Sequence, residues 1–331
     1  MPSFVVYKGS ESGKVVKAVT EKPALKGDQV LLRVTASGLC GTDLHYNHAS
    51  MGLGHEGVGV VEELGPNCTI LKKGDRVGWG YEHDSCRHCQ ECLRGNETFC
   101  AKREMYGMAD LDQGSMAEGA VWSEAFLFKI PDSMSDEVAA PLMCGGATVF
   151  NALHMYGVKP TEVVGVIGVG GLGHLAIQYA AKMGCRVVVL SGTDSKKDEA
   201  MRLGASEFIA MKGLKELKTE RPIDRLLVTT SAQPDWKLLI PTLAPCATIF
   251  PLSVAGGDFS IPYMDFLING LTVQASLVAS RYIQNRMLEF SAHHKIEPII
   301  EKFPLTEEGC NQAIEKLDAG NMRYRGVLIR Q

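Results

Sequence analysis

Apolar and polar residues change rhythm near Ser135. Before it, short apolar runs at 29–35 and 57–64 alternate with polar positions or are rich in valine, and Gly, Pro and Asp separate them, the pattern of strands joined by turns. Lys72-Lys73-Gly74-Asp75 marks a turn before a strand at 76–78. At Ser135-Asp136-Glu137 capping residues precede an Ala-rich turn, the signature of a helix start, and 147–156 also reads as helix. From Glu162 onward, Val/Ile/Leu-rich runs at 163–167, 186–190, 225–230 and 247–252 alternate with amphipathic segments at 173–183, 194–203 and 236–240. That alternation predicts a parallel sheet covered by helices on both faces, a doubly wound domain. A helix at 284–294, one more helix and a strand at 326–329 finish the chain.

With 331 residues, the chain is too long for one small core, and two domains are expected. Hydrophobic residues make up 45% and charged residues 22%, as in an ordinary globular protein. The net charge of −4 gives no electrostatic reason to expect nucleic acid. No apolar run has membrane-spanning length, and the N-terminal segment lacks a basic-then-apolar leader. A cytoplasmic protein with neither a nucleic-acid nor a membrane partner is expected. Ten cysteines in such a chain point to metal ligands and buried thiols rather than disulfides.

Four of them, Cys86, Cys89, Cys92 and Cys100, follow C-x2-C-x2-C-x7-C. Four thiolates close a tetrahedral zinc shell and leave no position for chemistry, so this set predicts a structural metal. The other motifs lie apart: Gly38-Leu39-Cys40-Gly41-Thr42-Asp43-Leu44-His45, Gly54-His55-Glu56-Gly57-Val58-Gly59 and Pro141-Leu142-Met143-Cys144-Gly145-Gly146. Cys40, His55 and Cys144 together supply two thiolates and an imidazole, an open shell suited to catalysis. Cys68, Cys185, Cys246 and Cys310 have no motif context and are expected to be buried or half-buried thiols.

The run 163–167 leads into Gly168-Val169-Gly170-Gly171-Leu172-Gly173, a G-x-G-x-x-G between a strand and a helix. Gly168 permits the turn, Gly170 admits a pyrophosphate to the backbone, and Gly173 allows close helix–sheet packing. The next strand ends in Ser191-Gly192-Thr193-Asp194-Ser195-Lys196-Lys197. NAD sites usually carry a carboxylate at that strand end; Ser191 and Thr193 with Lys196 or Lys197 would instead accept a 2′-phosphate, so NADP(H) is favoured. The competing reading makes Asp194 the ribose acceptor or a helix cap.

In order and spacing these motifs resemble the zinc-dependent medium-chain alcohol dehydrogenases, close to the cinnamyl-alcohol-dehydrogenase-like branch. The resemblance covers essentially the whole chain. It implies a GroES-like β domain from 1–145 and 280–331 around a Rossmann NADP-binding domain at 146–279. It makes Cys40, His55 and Cys144 the catalytic zinc ligands and Cys86, Cys89, Cys92 and Cys100 the structural ones, so two zinc ions per chain. It further implies Glu56 as an acidic neighbour able to approach the metal and Asp43 as a carboxylate near the metal-binding histidine. Thr42 and His45 match the proton relay, Thr148 a nicotinamide-side contact, and Arg325 an arginine approaching the cofactor phosphates. A homodimer is implied as well. One departure concerns the 14 residues between Cys40 and His55: the family commonly has a longer stretch there, beside the substrate entrance.

The expected reaction is hydride transfer between NADP(H) and an alcohol or aldehyde. Met51, Trp79 and Tyr81, with Trp122, are candidate pocket walls that would suit an aromatic or other apolar aldehyde. The alternative is an NADPH-dependent reductase of an activated C=C or C=N bond on the same fold. In such relatives the relay residues are often altered, whereas Thr42 and His45 are intact here.

Overall fold

A computed structural model describes residues 1–331. The chain divides into two units, Met1–Ala147 with Val278–Gln331, and Thr148–Leu277.

In the first unit, strand Gln29–Leu39 alternates half-buried and buried residues up to Ala36 and is then buried throughout, so one face of it meets the core. It pairs antiparallel with Gly57–Leu64, with Gly119–Ser123 and with the C-terminal strand Arg325–Ile329. Ile300–Pro304 lies parallel to that last strand and completes the edge of a seven-stranded sheet. The register sets Leu39 opposite Gly326, Ser37 opposite Gly57, and Gly57 opposite Trp79. The residues just beyond these pairs, Cys40, Glu56 and Arg325, are therefore delivered to one end of the sheet. The core beneath it includes Val30, Leu32, Leu53, Trp79, Met116 and Trp122. The C-terminal segment thus joins this domain through sheet pairing.

The second unit is a six-stranded sheet whose order, numbered within the unit, is 3-2-1-4-5-6 with every pairing parallel. That is the Rossmann order. Its central strand Val163–Ile167 is buried at every position, as a strand covered on both faces must be. Two strands have no clear periodic signal: Glu207–Ala210 is half-buried throughout, and Thr272–Val273 is short and exposed. The strand expected at 225–230 is Ile223–Val228; Thr229 lies past its end and donates its hydroxyl to the Ile167 carbonyl at 2.7 Å. The helix expected from 194 begins only at Lys197. The hydroxyls of Thr193 and Ser195 bond each other at 2.9 Å, and the N-cap is Lys196 with no side-chain cap bond, so Asp194 does not cap the helix. No helix is long and apolar enough to cross a membrane.

Candidate active site

The first candidate ligand, Cys40, follows a strand and starts a turn. Cys40 is the N-cap of the short helix Gly41–Leu44; its sulfur accepts from the Thr42 amide, and the Asp43 carboxylate accepts from the Cys40 amide at 3.0 Å. His55 and Glu56 lie just before the neighbouring strand. Cys144 sits in a π-helical turn, Leu142–Gly146. Pro141 ends the preceding helix and has no amide hydrogen to continue its ladder; such widened turns recur at functional sites. The ligand atoms of Cys40, His55, Glu56 and Cys144 all lie within 4.8 Å of one another.

Burial makes this cluster electrostatically tight. His55, Asp43 and Glu56 have no exposed surface. Cys40 Sγ stands 3.2 Å from His55 Nε2, and His55 Nδ1 is 3.0 Å from Asp43 Oδ1. Asp43 thus accepts a hydrogen bond from Nδ1 and aims Nε2 at the thiols, so that losing the Nε2 proton would leave the tautomer a metal requires. A hydrogen bond from Cys144, aided by His55, holds the Cys40 thiol well below its ordinary range against the effect of burial. Burial presses the His55 imidazole downward, but Asp43 and Cys40 outweigh it and keep it raised. Proton-binding groups thus converge on one point, a donor set that a divalent cation could use by displacing their protons.

Glu56 pairs with Arg325, itself only 4% exposed. Burial lifts the Glu56 carboxyl to about 7 although Arg325 opposes the shift. Its second oxygen, Oε2, is buried without a partner. The structure thus places Arg325 against a site carboxylate, with Gly326 opposite Leu39 in the sheet.

Of the expected pocket walls, only Tyr81 faces the cluster: its ring stands edge-on to His55, centroids 5.6 Å apart. Trp79 is a correction. It is fully buried in the core, tilted against Trp122 with ring centroids 5.8 Å apart; a β-carbon on Gly57 would collide with its ring at 2.1 Å, so it fills the space behind the strand. Trp122 belongs to the same core. Met51 is also closed off, at 4% exposure, where its carbonyl pins the short loop to the Gly9 amide at 3.0 Å. Thr42 is half-buried and His45 exposed, three residues apart on one helical face.

In the four-cysteine lobe, adjacent sulfurs are separated by 3.5, 3.6, 3.7 and 3.9 Å. A tetrahedron with metal–sulfur bonds of about 2.3 Å has edges of about 3.8 Å, so the four sulfurs have the spacing such a shell requires. Between the ligands, Arg87 takes a left-handed backbone (φ 63°) and ties the lobe to the sheet through Asp28, Asp84 and Ser123 at 2.7 to 2.8 Å. All ten cysteines are free thiols. Cys68, Cys185 and Cys310 are buried or half-buried; Cys246 departs from the expectation and is exposed, on a left-handed residue with φ 62°.

At the stem of the lobe, Glu82 is buried with Oε1 unpartnered. Burial, then the neighbouring Glu97, push its carboxyl up to about 8, with Arg281 opposing. The folded chain therefore keeps a proton that the unfolded chain releases at the ordinary carboxylate value. This contribution to stability is present below that value and disappears as pH rises to about 8, a change on the order of a few kcal/mol. Melting temperatures followed from pH 5 to 8.5 should fall less steeply in Glu82→Gln than in the wild type; equal slopes would refute the assignment.

In the second unit the glycine loop meets each of its demands. Gly168 has φ +89°, a β-carbon on Gly173 would lie 2.0 Å from the Gly168 carbonyl oxygen, and one on Gly170 would meet nothing within 4 Å. The open side at Gly170 is the space a pyrophosphate needs; Gly171 and Leu172 continue the turn into helix Gly173–Lys182. Ser191 ends its strand, 8% exposed. Lys196 Nζ donates to the Val169 carbonyl at 2.7 Å, so a cation lies against the phosphate loop. Thr193 is exposed, and Thr148, 8% exposed, begins this unit.

Residues 26–132 match the family model for the alcohol dehydrogenase GroES-like domain, and 171–293 match that for zinc-binding dehydrogenases. An alcohol dehydrogenase from Geobacillus stearothermophilus is 35% identical over 93% of this chain and 94% of its own. The chain belongs to the zinc-binding alcohol dehydrogenase family. Another relative, an NADP-dependent alcohol dehydrogenase C from Mycolicibacterium smegmatis, is 32% identical over 96% of this chain and 95% of its own. A cinnamyl alcohol dehydrogenase structure from Sorghum bicolor superposes with TM-score 0.90 at 30% identity, covering 99% and 98% of the two chains. This family member is thus an oxidoreductase of the alcohol dehydrogenase type. Sequence reasoning missed Tyr106 at its site: the hydroxyl bonds Asp43 across 63 positions, and no local motif marks it.

Proposed function

We propose that this dehydrogenase holds two zinc ions per chain and interconverts an alcohol and an aldehyde, aromatic or otherwise apolar, with NADP(H). The observation that carries the reading is the convergence of Cys40, His55 and Cys144 within 4.8 Å, with Glu56 beside them. Cys86, Cys89, Cys92 and Cys100 would hold the structural ion. Zinc in the open site supplies Lewis acidity toward a carbonyl or hydroxyl oxygen, and NADP(H) supplies or accepts the hydride.

The chain's own residues do the rest. Asp43 fixes the His55 ring with Nε2 toward the site. Thr42 Oγ1, half-buried next to Cys40, carries the reaction proton toward the exposed His45 imidazole, which exchanges it with water. Glu56 and Arg325 back the site as a buried ion pair. The Tyr81 ring supports an apolar substrate. Ser191, Thr193 and Lys196 bind the 2′-phosphate, the glycine loop the pyrophosphate, and Thr148 the nicotinamide side. The apolar residues Tyr263, Met264, Leu267 and Ile268, exposed beside edge strand Thr272–Val273, support a homodimer formed through this unit.

A panel of aldehydes with NADPH, run with and without zinc chelation, tests the reading. Turnover of an α,β-unsaturated aldehyde to the allylic alcohol, lost on chelation, is expected. A saturated aldehyde product, or activity indifferent to chelation, would overturn it. For the cofactor, Ser191→Asp places a carboxylate against the 2′-phosphate. It should lower kcat/KM for NADPH at least about tenfold, a loss of about 1.4 kcal/mol, and improve NADH use. A wild type that already prefers NADH would end the phosphate argument.

A further inference from the structure

We propose that Tyr106 is a positioning residue for the open-site metal, acting through Asp43. The inference rests on the zinc reading above and adds a residue that the motifs do not mark.

The hydrogen bonds around Tyr106 have fixed directions. The Gly54 amide donates to the phenol oxygen at 3.0 Å, and an amide nitrogen can only donate. The phenol hydrogen is therefore free to donate to Asp43 Oδ1, also at 3.0 Å. The same Oδ1 accepts from His55 Nδ1 at 3.0 Å, while Oδ2 accepts from the Cys40 amide at 3.0 Å. Gly54 precedes His55 in the chain, so the bonds close a ring from Gly54 through Tyr106 and Asp43 to His55. Both oxygens of one carboxylate are thus fixed by groups belonging to two ligands, and Tyr106 supplies the remaining donor. Its ring is 1% exposed and packs on His55 with centroids 4.8 Å apart. Tyr46 stands edge-on to it at 5.1 Å.

The chain also explains how Tyr106 is held there. The Tyr106 amide donates to the Tyr81 carbonyl at 2.9 Å. This bond closes the base of the four-cysteine lobe, where strand Glu104–Met105 pairs with Glu82–Asp84. The stem of the lobe therefore sets both rings, Tyr81 and Tyr106, against His55.

Tyr106→Phe removes one oxygen and keeps the ring. Outer partners of a metal-bound histidine are typically worth about 10- to 100-fold in metal affinity. The variant should release open-site zinc to a chelator about tenfold faster than the wild type. Lobe zinc should leave at an unchanged rate, and a cobalt-substituted protein should show altered thiolate charge-transfer bands. Tyr46→Phe, whose hydroxyl meets Tyr81 and not Asp43, should match the wild type. Open-site release at the wild-type rate in Tyr106→Phe would overturn the proposal. A wild type that binds only lobe zinc would instead overturn the zinc reading itself. Should Tyr106→Phe not fold, the wild type decides through the Tyr106 hydroxyl proton, observed in tyrosine-labelled protein. Slow exchange that accelerates when open-site zinc alone is stripped supports the proposal, and exchange indifferent to that zinc refutes it.

Discussion

Cys40→Ala should abolish turnover while leaving a folded protein with one zinc per chain instead of two. The side chain is small and 8% exposed, so little packing is lost. The Thr42 amide loses its sulfur acceptor at 3.4 Å, a cap-like loss of about 1 kcal/mol. The Asp43 bonds to His55 and to the residue-40 amide survive, because neither uses the thiol. Catalysis has no such reserve. Without Cys40, one thiol and one imidazole remain beside Glu56, and a shell short of one anionic donor binds the ion weakly. Lewis-acid assistance amounts to several kcal/mol of transition-state stabilisation, and each 1.36 kcal/mol is about tenfold, so kcat/KM should fall at least about a thousandfold. Metal content by elemental analysis, circular dichroism and aldehyde turnover make the test. A metal-depleted Cys40→Ala protein with wild-type turnover would remove the open site from the mechanism.

What the sequence made legible and what it concealed divide along sequence separation. The glycine loop is one continuous stretch between a strand and a helix, and its geometry follows from local sterics: φ at Gly168, and contact between Gly173 and the Gly168 carbonyl. The four lobe cysteines are close in the chain, so spacing alone pointed to a tetrahedron. Glu56–Arg325 spans 269 positions, and Tyr106–Asp43 spans 63. Those meetings depend on strand register and lobe closure, which no periodicity encodes. Trp79 shows the opposite failure. Its place at a strand end near the metal motifs suggested a pocket wall, yet Trp79 is the last residue of strand Arg76–Trp79 and its ring fills the core behind Gly57, while Tyr81, past the strand's end, reaches His55. The edge strands Glu207–Ala210 and Thr272–Val273 lack the continuous apolar run of buried strands and were silent for that reason.

Cys100→Ser should cost the first unit much of its stability and most of its activity, although Cys100 takes no part in the chemistry. Its sulfur lies 3.6 and 3.7 Å from those of Cys86 and Cys89 and is 1% exposed. A neutral serine hydroxyl there neither completes a tetrathiolate nor binds zinc comparably. Structural zinc supplies about 10–16 kcal/mol in isolated zinc-finger peptides. Here the Arg87 clamp and the short strand pair retain part of the lobe, so a loss of about 4 kcal/mol or more is expected. For a unit of this size that corresponds to a melting temperature lower by about 10 °C. The Rossmann unit has its own sheet and core, and its NADPH affinity should hold. Activity should nevertheless fall at least about tenfold, because Tyr81 and Tyr106 leave the lobe at its two ends and both rings pack on His55; outer partners of a metal-bound histidine are worth that much. Limited proteolysis should cut first within 86–100. A Cys100→Ser protein with one zinc, the wild-type melting temperature and full turnover would show that the lobe is not what supports the site.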